Sequence, residues 1–464
     1  MMNWRTRQMG RAPIFVAIVA AFLWPCARAA GAQTWNLVQQ FTFNGAAGSA
    51  PPSSQWTYDE GNNHGWGNQE QEYYCAPSDD TPPCSTAQPN IYEDGNGDLV
   101  IQARHTSSGT WTSGRMRTQG LYSVQYGRIE ARMQLPVGAG LWPAFWMLGS
   151  DIDKVPWPGC GELDIMENVP ALGPTEIQSS VHDLDDNNML HGIFTFPSGE
   201  TVSSGFHVYG MIWSPYLIQF YVDDPSNVFA TITPATPSSN WPFNQSTTAP
   251  NPFFLLLNLA VGGDWPGPPS ASTPDPATML VNYVRVYQAA AIPGPTISGS
   301  GFSVTAGAAG STVLNMTGQS GTTGKVYLAC SAAPADSTCT IAPNVVDFTN
   351  ANSATATLNL STTANSGLFA PAPGPDVWPW SLGLAAFLLA GFGWARKRRR
   401  WAAGFGAAAL ALVLAGCGGG ASPGAPTSPS TPSGGTPAGN YTLTVTAYTV
   451  SGASSSGSIS LTVN

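Results

Sequence analysis

The stretch Gly161-Glu162-Leu163-Asp164-Ile165-Met166-Glu167-Asn168 places three carboxylic acids in an apolar, strand-like run. Side chains alternate between the two faces of a strand, so Glu162 and Asp164 share one face. Strict alternation would send Glu167 to the opposite face, whereas a one-residue β-bulge near residues 165–166 would turn it back beside the other two acids. The sequence therefore predicts a bulged strand with three acids on one face.

Such a strand favours catalysis over a structural role. Burying acids beside Leu163 and Ile165 costs desolvation free energy, and a catalytic role would explain why the chain keeps them there. Two facing carboxyl groups about 5–5.5 Å apart are what a retaining glycosidase needs. The alternative interpretation is a strand with a solvated acidic face.

The acids at 162–167 resemble the bulged Glu-x-Asp-x-x-Glu signature of glycoside hydrolase family 16, in the form typical of laminarinase-like endo-β-1,3-glucanases. Further blocks that resemble this family follow in order, and the resemblance covers about residues 33–290. It implies a β-jelly-roll sandwich whose concave sheet forms the substrate cleft. The blocks are Gly65-Trp66-Gly67-Asn68 with Tyr73-Tyr74, Tyr126 to Arg132, Leu141 to Leu148, Asn258 to Pro266, and Tyr283 to Tyr287.

The resemblance also implies roles for the three acids. Glu162 would be the nucleophile, Glu167 the general acid and base, and Asp164 a neighbour that tunes Glu162. Three close carboxyl groups cannot all ionise cheaply, so we expect shared protons and coupled titration. The reaction would proceed by two inverting steps with net retention of the anomeric configuration.

A second group of side chains is predicted to bind sugar. Indole rings can lie against the C–H faces of glucose, although core packing is the alternative for any single tryptophan. Taken alone, the histidine in this group would be structural, since no second His or Cys stands at metal-ligand spacing. The predicted residues are Trp66, Asn68, Arg115, Trp142, Trp146, His182 and Trp265.

Composition limits the class of protein. The chain has 464 residues, which predicts at least two domains, and only 9% of them are charged. Abundant Gly, Pro and aromatic residues, with short alternating strands between Trp35 and Tyr287, predict an all-β sandwich. The net charge of −10 argues against a nucleic-acid partner.

Residues 1–32 have the charged, apolar and small-residue regions of a secretory signal peptide, which predicts export. In an oxidising compartment, Cys75 with Cys84 and Cys330 with Cys339 are candidate disulfides, and Cys160 has no obvious partner. Spacing alone does not establish either pairing.

The C-terminal region is predicted to contain a small immunoglobulin-like β-sandwich in two parts, residues 296–364 and 440–464. Between them lie a predicted transmembrane helical hairpin at 377–417 and a Gly/Ser/Pro linker at 418–439. The basic run Arg396–Arg400 would mark a cytoplasmic turn between two apolar crossings, and a pair of buried helices is the alternative. Residues 414–417 resemble a lipobox, which leaves lipidation of Cys417 open.

One departure from the family concerns metal binding. The resemblance implies an acid before Tyr283 that helps to bind a structural calcium ion, and this chain has Asn282 there. The acid expected before Phe43 is replaced by Thr42. A neutral oxygen attracts calcium less, so we expect no required cofactor and no catalytic metal, and leave a structural calcium open.

The sequence thus predicts an exported, membrane-anchored, monomeric hydrolase of β-1,3-glucan. Mixed-linkage glucan and algal galactan are alternative substrates. A glucan-binding protein without catalysis is an alternative of another class, against which the three retained acids argue. A structural surface adhesin would explain the C-terminal sandwich but not the acids.

Overall fold

The computed structural model describes residues 33–184, 190–234, 241–244, 251–364 and 434–464. The predicted signal peptide, the membrane hairpin and most of the linker lie outside these residues. Within the described part of the chain, no helix has both the length and the apolar character needed to cross a membrane. Its helical segments are 3-10 turns at Asn63–Gly65 and Pro242–Asn244, and nearly everything else is strand or turn.

The first sandwich spans residues 35–289 and consists of two sheets, antiparallel except where β3 pairs with β6. One has ten strands, in the order β15-β14-β13-β8-β17-β5-β6-β3 with β1 on β17 and β4 on β5, and the other has seven, in the order β12-β11-β10-β9-β16-β7-β2. The strands are β1 (Trp35–Thr42), β2 (Thr57–Tyr58), β3 (Tyr73–Tyr74), β4 (Ile91–Glu93), β5 (Leu99–His105), β6 (Trp111–Ser113), β7 (Arg115–Arg117), β8 (Gly127–Gln134), β9 (Leu141–Gly149), β10 (Glu162–Glu167), β11 (Glu176–His182), β12 (Leu190–Thr195), β13 (His207–Ser214), β14 (Leu217–Val222), β15 (Val228–Ile232), β16 (Phe253–Val261) and β17 (Ala277–Ala289).

Alternation decides which side chains fill the core between these sheets. In β8 the side chains of Ile129, Ala131 and Met133 enter the core, as the polar–apolar pattern predicts. Strands β13 and β14 form a hairpin, paired from Tyr209 with Val222 to Ser214 with Leu217. The seven-stranded sheet covers this core with one face and presents the other to the cleft.

Strand β10 contains the predicted bulge. Its register against β9 pairs Glu162 with Leu148 and Asp164 with Trp146, then shifts by one residue before Glu167. Ile165 and Met166 are consecutive, yet both belong to the hydrophobic core. The bulge therefore returns Glu167 to the face that carries the other two acids, which confirms this prediction.

The second sandwich combines the two C-terminal parts of the chain. Its sheets have the orders β18-β20-β24-β22 and β19-β26-β25-β21-β23. Strand β25, from the last part, pairs with β21 from Val326–Thr449 to Ser331–Thr444. The strands are β18 (Thr296–Gly299), β19 (Phe302–Val304), β20 (Ala309–Thr317), β21 (Lys325–Ser331), β22 (Ser337–Ala342), β23 (Val345–Asp347), β24 (Ser353–Thr362), β25 (Gly439–Thr449) and β26 (Ser454–Val463).

Three tyrosines join the two sandwiches. Tyr216, in the β13–β14 turn, stacks on Tyr327 with ring centroids 5.0 Å apart and lies 4.6 Å from the ring of Tyr448. Leu217 and Ala329 complete this small apolar cluster. The contact lies on the ten-stranded sheet, away from the acidic strand.

The described part of the chain contains two disulfides, Cys75–Cys84 and Cys330–Cys339, which confirms both candidate pairings. Among the described residues, Cys160 is a free, buried thiol. The first bridge closes a loop beside the cleft wall, and the second joins the two sheets of the C-terminal sandwich by linking β21 to β22.

Candidate active site

A cleft of about 590 Å³ crosses the exposed face of the seven-stranded sheet. It brings together every predicted site residue, although these span almost 200 positions of the sequence. Their individual roles stay predictions. The residues are Trp66, Asn68, Arg115, Trp142, Trp146, Glu162, Asp164, Glu167, His182 and Trp265.

The three acids occupy the floor of the cleft because of how β10 begins and bends. Gly161 starts the strand with φ of +82°, a conformation that favours glycine. A Cβ atom at this position would lie 2.7 Å from Pro242 and 2.9 Å from Phe253. The turn before Glu162 therefore depends on a residue without a side chain, and the bulge then aligns Glu167.

Glu162 and Asp164 form a hydrogen-bonded carboxyl pair. Burial, and then the charge of Asp164, raise the pKa of Glu162 well above its ordinary value, while His182 opposes this rise. His182 Nε2 lies 3.0 Å from Asp164 Oδ2. Two carboxylates offer acceptors and no donor, so this contact requires one proton between Glu162 and Asp164. The imidazole favours the negative charge that remains on the pair.

Glu167 has a different environment. The indole Nε1 of Trp142 donates to Glu167 Oε1 at 3.0 Å, and Ser180 Oγ donates to Oε2 at 3.4 Å. Burial, followed by repulsion from Asp164, raises the pKa of Glu167 to about 8. Glu167 is therefore largely protonated at neutral pH, as a general acid must be.

Aromatic rings and one arginine form the wall at the end of the cleft nearest β7. The guanidinium of Arg115 lies 5.1 Å from the ring centroid of Trp66 and 4.8 Å from that of Trp146. Its Nε also pairs with Asp59 at 2.9 Å. Trp146 in turn donates from Nε1 to Asn258 Oδ1 at 2.7 Å. Arg115 thus orients the two rings that sequence analysis predicts as sugar platforms.

Two further tryptophans border the floor. Trp265 packs edge-on against Trp142 with centroids 5.5 Å apart, beside Glu167. Trp157, which is 50% exposed, lies 6.0 Å from the ring of His182 at the opposite end from Trp66. Its exposure at the rim leaves one face free for a ligand.

Several residues that line the cleft were not predicted from the sequence. Trp157 lies in the Pro-rich loop before β10, and the neighbouring residues in the sequence do not show that its ring is exposed. The polar residues among them stand in buried strands or a turn, and an isolated polar residue in an apolar strand was the available signal. The missed residues are Gly67, Glu70, Ala144, Leu148, Trp157, Gln178 and Asn258.

Among the residues that the structure describes, two groups of side chains are close enough to hold a metal ion, with ligand atoms within 4.8 Å of one another. They are Glu162, Asp164 and His182 in the cleft, and Glu200, His207 and Asp223 on the ten-stranded sheet.

The place where the resemblance implies calcium has a different composition. There, Asn282 Nδ2 donates to Asp98 Oδ1 at 2.7 Å and to the carbonyl oxygen of Gly97 at 3.4 Å. An amide N–H directed at these oxygens serves them as a cation would, so these residues do not favour calcium.

Comparison with known proteins agrees with this geometry. The family model described as "Glycosyl hydrolases family 16" matches residues 79–282. A beta-glucanase of Rhodothermus marinus is 36% identical over 271 residues, covering 55% of this chain and 85% of that protein. Glucan endo-1,3-beta-glucosidase A1 of Niallia circulans is 34% identical over 281 residues, covering 54% of this chain but only 38% of that protein. The solved endo-beta-1,3-glucanase of Pyrococcus furiosus is 37% identical, with a TM-score of 0.46, and covers 56% of this chain and 96% of that one.

The relative from Rhodothermus marinus is 36% identical and matches over 85% of its own length. The family model at residues 79–282 includes the bulged acidic strand. The chain therefore belongs to glycosyl hydrolase family 16.

Proposed function

We propose that this chain is a retaining endo-glycosidase that hydrolyses β-1,3-glucan. The observation that carries the proposal is the bulged strand β10, which places Glu162, Asp164 and Glu167 on one face of a long cleft. The printed names of the relatives from Rhodothermus marinus and Niallia circulans support a β-glucan substrate.

In the first step, a carboxylate oxygen of Glu162 attacks the anomeric carbon. The bond from that carbon to the leaving oxygen breaks, and the proton of Glu167 passes to this oxygen. Asp164, held by His182 Nε2 at 3.0 Å, keeps the shared proton as Glu162 ionises. The product of the step is a glycosyl ester of Glu162 and a shortened glucan.

In the second step, the carboxylate of Glu167 accepts a proton from water. The water oxygen attacks the anomeric carbon from the face vacated by the leaving group, and the ester bond to Glu162 breaks. Glu167 is protonated again and both acids return to their starting states. Two inversions give net retention.

The form of the cleft supports internal cleavage. Aromatic rings lie on both sides of the acids, with Trp66 and Trp146 toward β7 and Trp157 toward β11. A chain of several sugars could therefore contact rings in both directions from the bond that breaks. Mixed-linkage glucan remains the second candidate substrate, because these same rings accept any β-linked glucose.

Product analysis tests the proposal. Laminarin, lichenan and agarose are each incubated with the purified chain, and the products are sized and their anomeric configuration followed by NMR. We expect fast release of mixed laminarin oligosaccharides with a β-configured reducing end. Preferential lichenan cleavage would shift the assignment to mixed linkage. Binding of laminarin without cleavage would support the glucan-binding alternative, and a Glu162→Gln variant defines the background.

We further propose that the protein is exported as a monomer and tethered to a membrane by the predicted hairpin at 377–417. Support comes from the ends of the described residues on either side of 365–433. Thr363 N donates to Thr436 Oγ1, and Thr436 N donates to the carbonyl oxygen of Thr363, both at 2.9 Å. The intervening chain thus leaves and re-enters the sandwich at one point, as a hairpin insertion requires.

Cysteine accessibility in intact cells tests this topology. Single cysteines replace Ser428 and, in a second variant, Arg398. Labelling of the first position alone is the expected result. Release of the whole chain, with its C-terminus, into the medium would contradict membrane tethering.

A further inference from the structure

A second carboxyl pair lies behind the wall of the cleft. Glu70 lines the cleft at 6% exposure, and Glu72 lies directly behind it with no exposure. The two side chains are in hydrogen-bonding contact with each other. Since two carboxylates have acceptors but no donor, this contact requires a proton on one of them.

The surrounding donors identify the acid that carries this proton. Glu70 accepts from Tyr74 Oη at 3.0 Å and from Asn68 Nδ2 at 3.2 Å, so both of its oxygens have donors. Glu72 Oε2 accepts from the backbone N–H of Val261 at 2.6 Å, but its buried Oε1 has no donor. A proton on Oε1 gives that atom a partner, because the hydroxyl then donates to Glu70.

The charges around the pair agree with this assignment. Burial, and then the charge of Glu70, raise the pKa of Glu72 well above its ordinary value. The nearby cation Arg115 is already paired with Asp59 at 2.9 Å, and Tyr74 is fully buried and neutral. Among these neighbours, no unpaired cation is available to Glu72 to offset a second negative charge.

Glu72 connects two segments of the chain that line the cleft. Its side chain and the Gln71 N–H, which donates to the carbonyl oxygen of Val261 at 2.8 Å, fasten residues 65–74 to the end of β16. The first segment carries Trp66 and Asn68 into the cleft, and the chain that follows β16 carries Trp265. Glu72 thus joins two segments of the sugar-binding wall.

We propose that Glu72 is a neutral, protonated acid that donates to Glu70 and positions this wall of the cleft. It is a positioning residue, since it does not line the cleft itself. The kinetic consequence rests on the proposed glucanase function, whereas the protonation state does not.

The first test is the stability of the purified full-length chain as a function of pH, measured by denaturant unfolding with tryptophan fluorescence. Because the folded-state pKa of Glu72 exceeds its unfolded value of about 4.5, the stability that the neutral acid contributes is complete below pH 4.5. It is lost as the pH rises toward the folded pKa. Glutamine is neutral at every pH and has both a donor and an acceptor. The Glu72→Gln variant should therefore keep this stability as the pH rises.

We therefore expect the wild-type unfolding constant to rise relative to that of Glu72→Gln above pH 4.5, by up to tenfold per pH unit. The matched control Glu60→Gln, which removes an exposed acid, should show no such divergence. A ratio that stays constant between pH 4.5 and 8, or that changes in the opposite direction, would overturn the proposal. An infrared spectrum of the wild type minus that of Glu72→Gln gives a direct check, since it should retain a protonated carboxyl band from Glu72 while the bands of the other protonated acids cancel.

The second test compares kinetic constants on laminarin. Glu72→Leu leaves the Val261 N–H without its acceptor, and we expect KM to rise about tenfold while kcat changes less. Glu72→Gln should keep KM within about twofold of the wild type. Equal KM values for both variants, when both are folded by circular dichroism, would exclude the positioning role. Inactivity of the wild type on every glucan would reject the proposed function and leave the pH-stability result intact.

Discussion

The two sandwiches differ in what they bury. Within the described residues, every buried carboxylate belongs to the jelly roll, whereas the buried polar side chains of the C-terminal sandwich are threonines. Those carboxylates are Asp59, Glu70, Glu72, Glu93, Glu130, Asp164 and Glu167, and the threonines are Thr323, Thr362, Thr436 and Thr449.

Burying a carboxylate costs more free energy than burying a hydroxyl. A buried hydroxyl is satisfied by one or two neutral hydrogen bonds, as when Thr362 Oγ1 donates to the carbonyl oxygen of Ala308 at 2.7 Å. A buried carboxylate must be paired or protonated, and its pKa shifts accordingly. The jelly roll therefore gives up stability to keep its buried acids in place, while the C-terminal sandwich bears no such cost among its described residues.

The largest expected effect is the loss of turnover when one of the three acids on β10, Glu162, is replaced. Glu162→Gln should reduce kcat on laminarin more than about a thousandfold, because an amide cannot form the glycosyl ester. Azide should rescue Glu162→Ala and give a product of inverted configuration. Retention of more than about a hundredth of wild-type turnover would show that Glu162 is not the nucleophile.

Glu167→Gln should lower laminarin turnover about a hundredfold to a thousandfold, and lower it much less for an aryl glycoside with a good leaving group. Wild-type activity should also fall above about pH 8, where Glu167 loses its proton. Similar losses on both substrates would remove Glu167 from the acid role.

Glu167→Gln should also be more stable than the wild type at pH 7. The pKa of Glu167 is raised in the fold, so the stability that its neutral form contributes is lost between about pH 4.5 and 8. The advantage of the variant should shrink toward pH 4. A variant less stable than the wild type at pH 7 would contradict the comparison between the two sandwiches.

Truncating one core side chain in each sandwich should show which sandwich the activity depends on. Leu443→Ala removes a fully buried side chain of the C-terminal core and should destabilise that sandwich by about 3 kcal/mol. Laminarin kinetics at 25 °C should stay unchanged. The matched variant Leu257→Ala, in β16 beside Asn258, should cost a similar amount and also raise KM. Loss of activity in Leu443→Ala would mean that the cleft depends on the second sandwich.

The smallest effect concerns the rim. Trp157→Ala removes a half-exposed ring and should raise KM on long glucans about fivefold to tenfold, with kcat nearly unchanged, since one sugar–aromatic contact is worth about 1 kcal/mol. Short oligosaccharides that do not reach this ring should be hydrolysed as by the wild type. Trp111→Ala, on the other sheet, serves as the control. An unchanged KM on laminarin would exclude Trp157 from substrate binding.

Local patterns predicted much of the site. The bulge at residues 165–166 was inferred from the spacing of acids alone, and the structure confirms it. Asn258 could not be found this way, because its partner Trp146 lies 112 positions away and only the pairing of β9 with β16 joins them. The proton on Glu72 was equally out of reach, since it depends on which donors surround Glu70.

The central strand of the larger C-terminal sheet, β25, comes from the last 31 residues of the chain, 434–464. It pairs with β21 across more than 100 positions, whereas the jelly roll is complete by Ala289. During synthesis the catalytic sandwich can thus fold first, because β21 has no β25 to pair with until more than 100 further residues have been added. The two sandwiches therefore form in the order in which the chain is made, the jelly roll before the C-terminal sandwich.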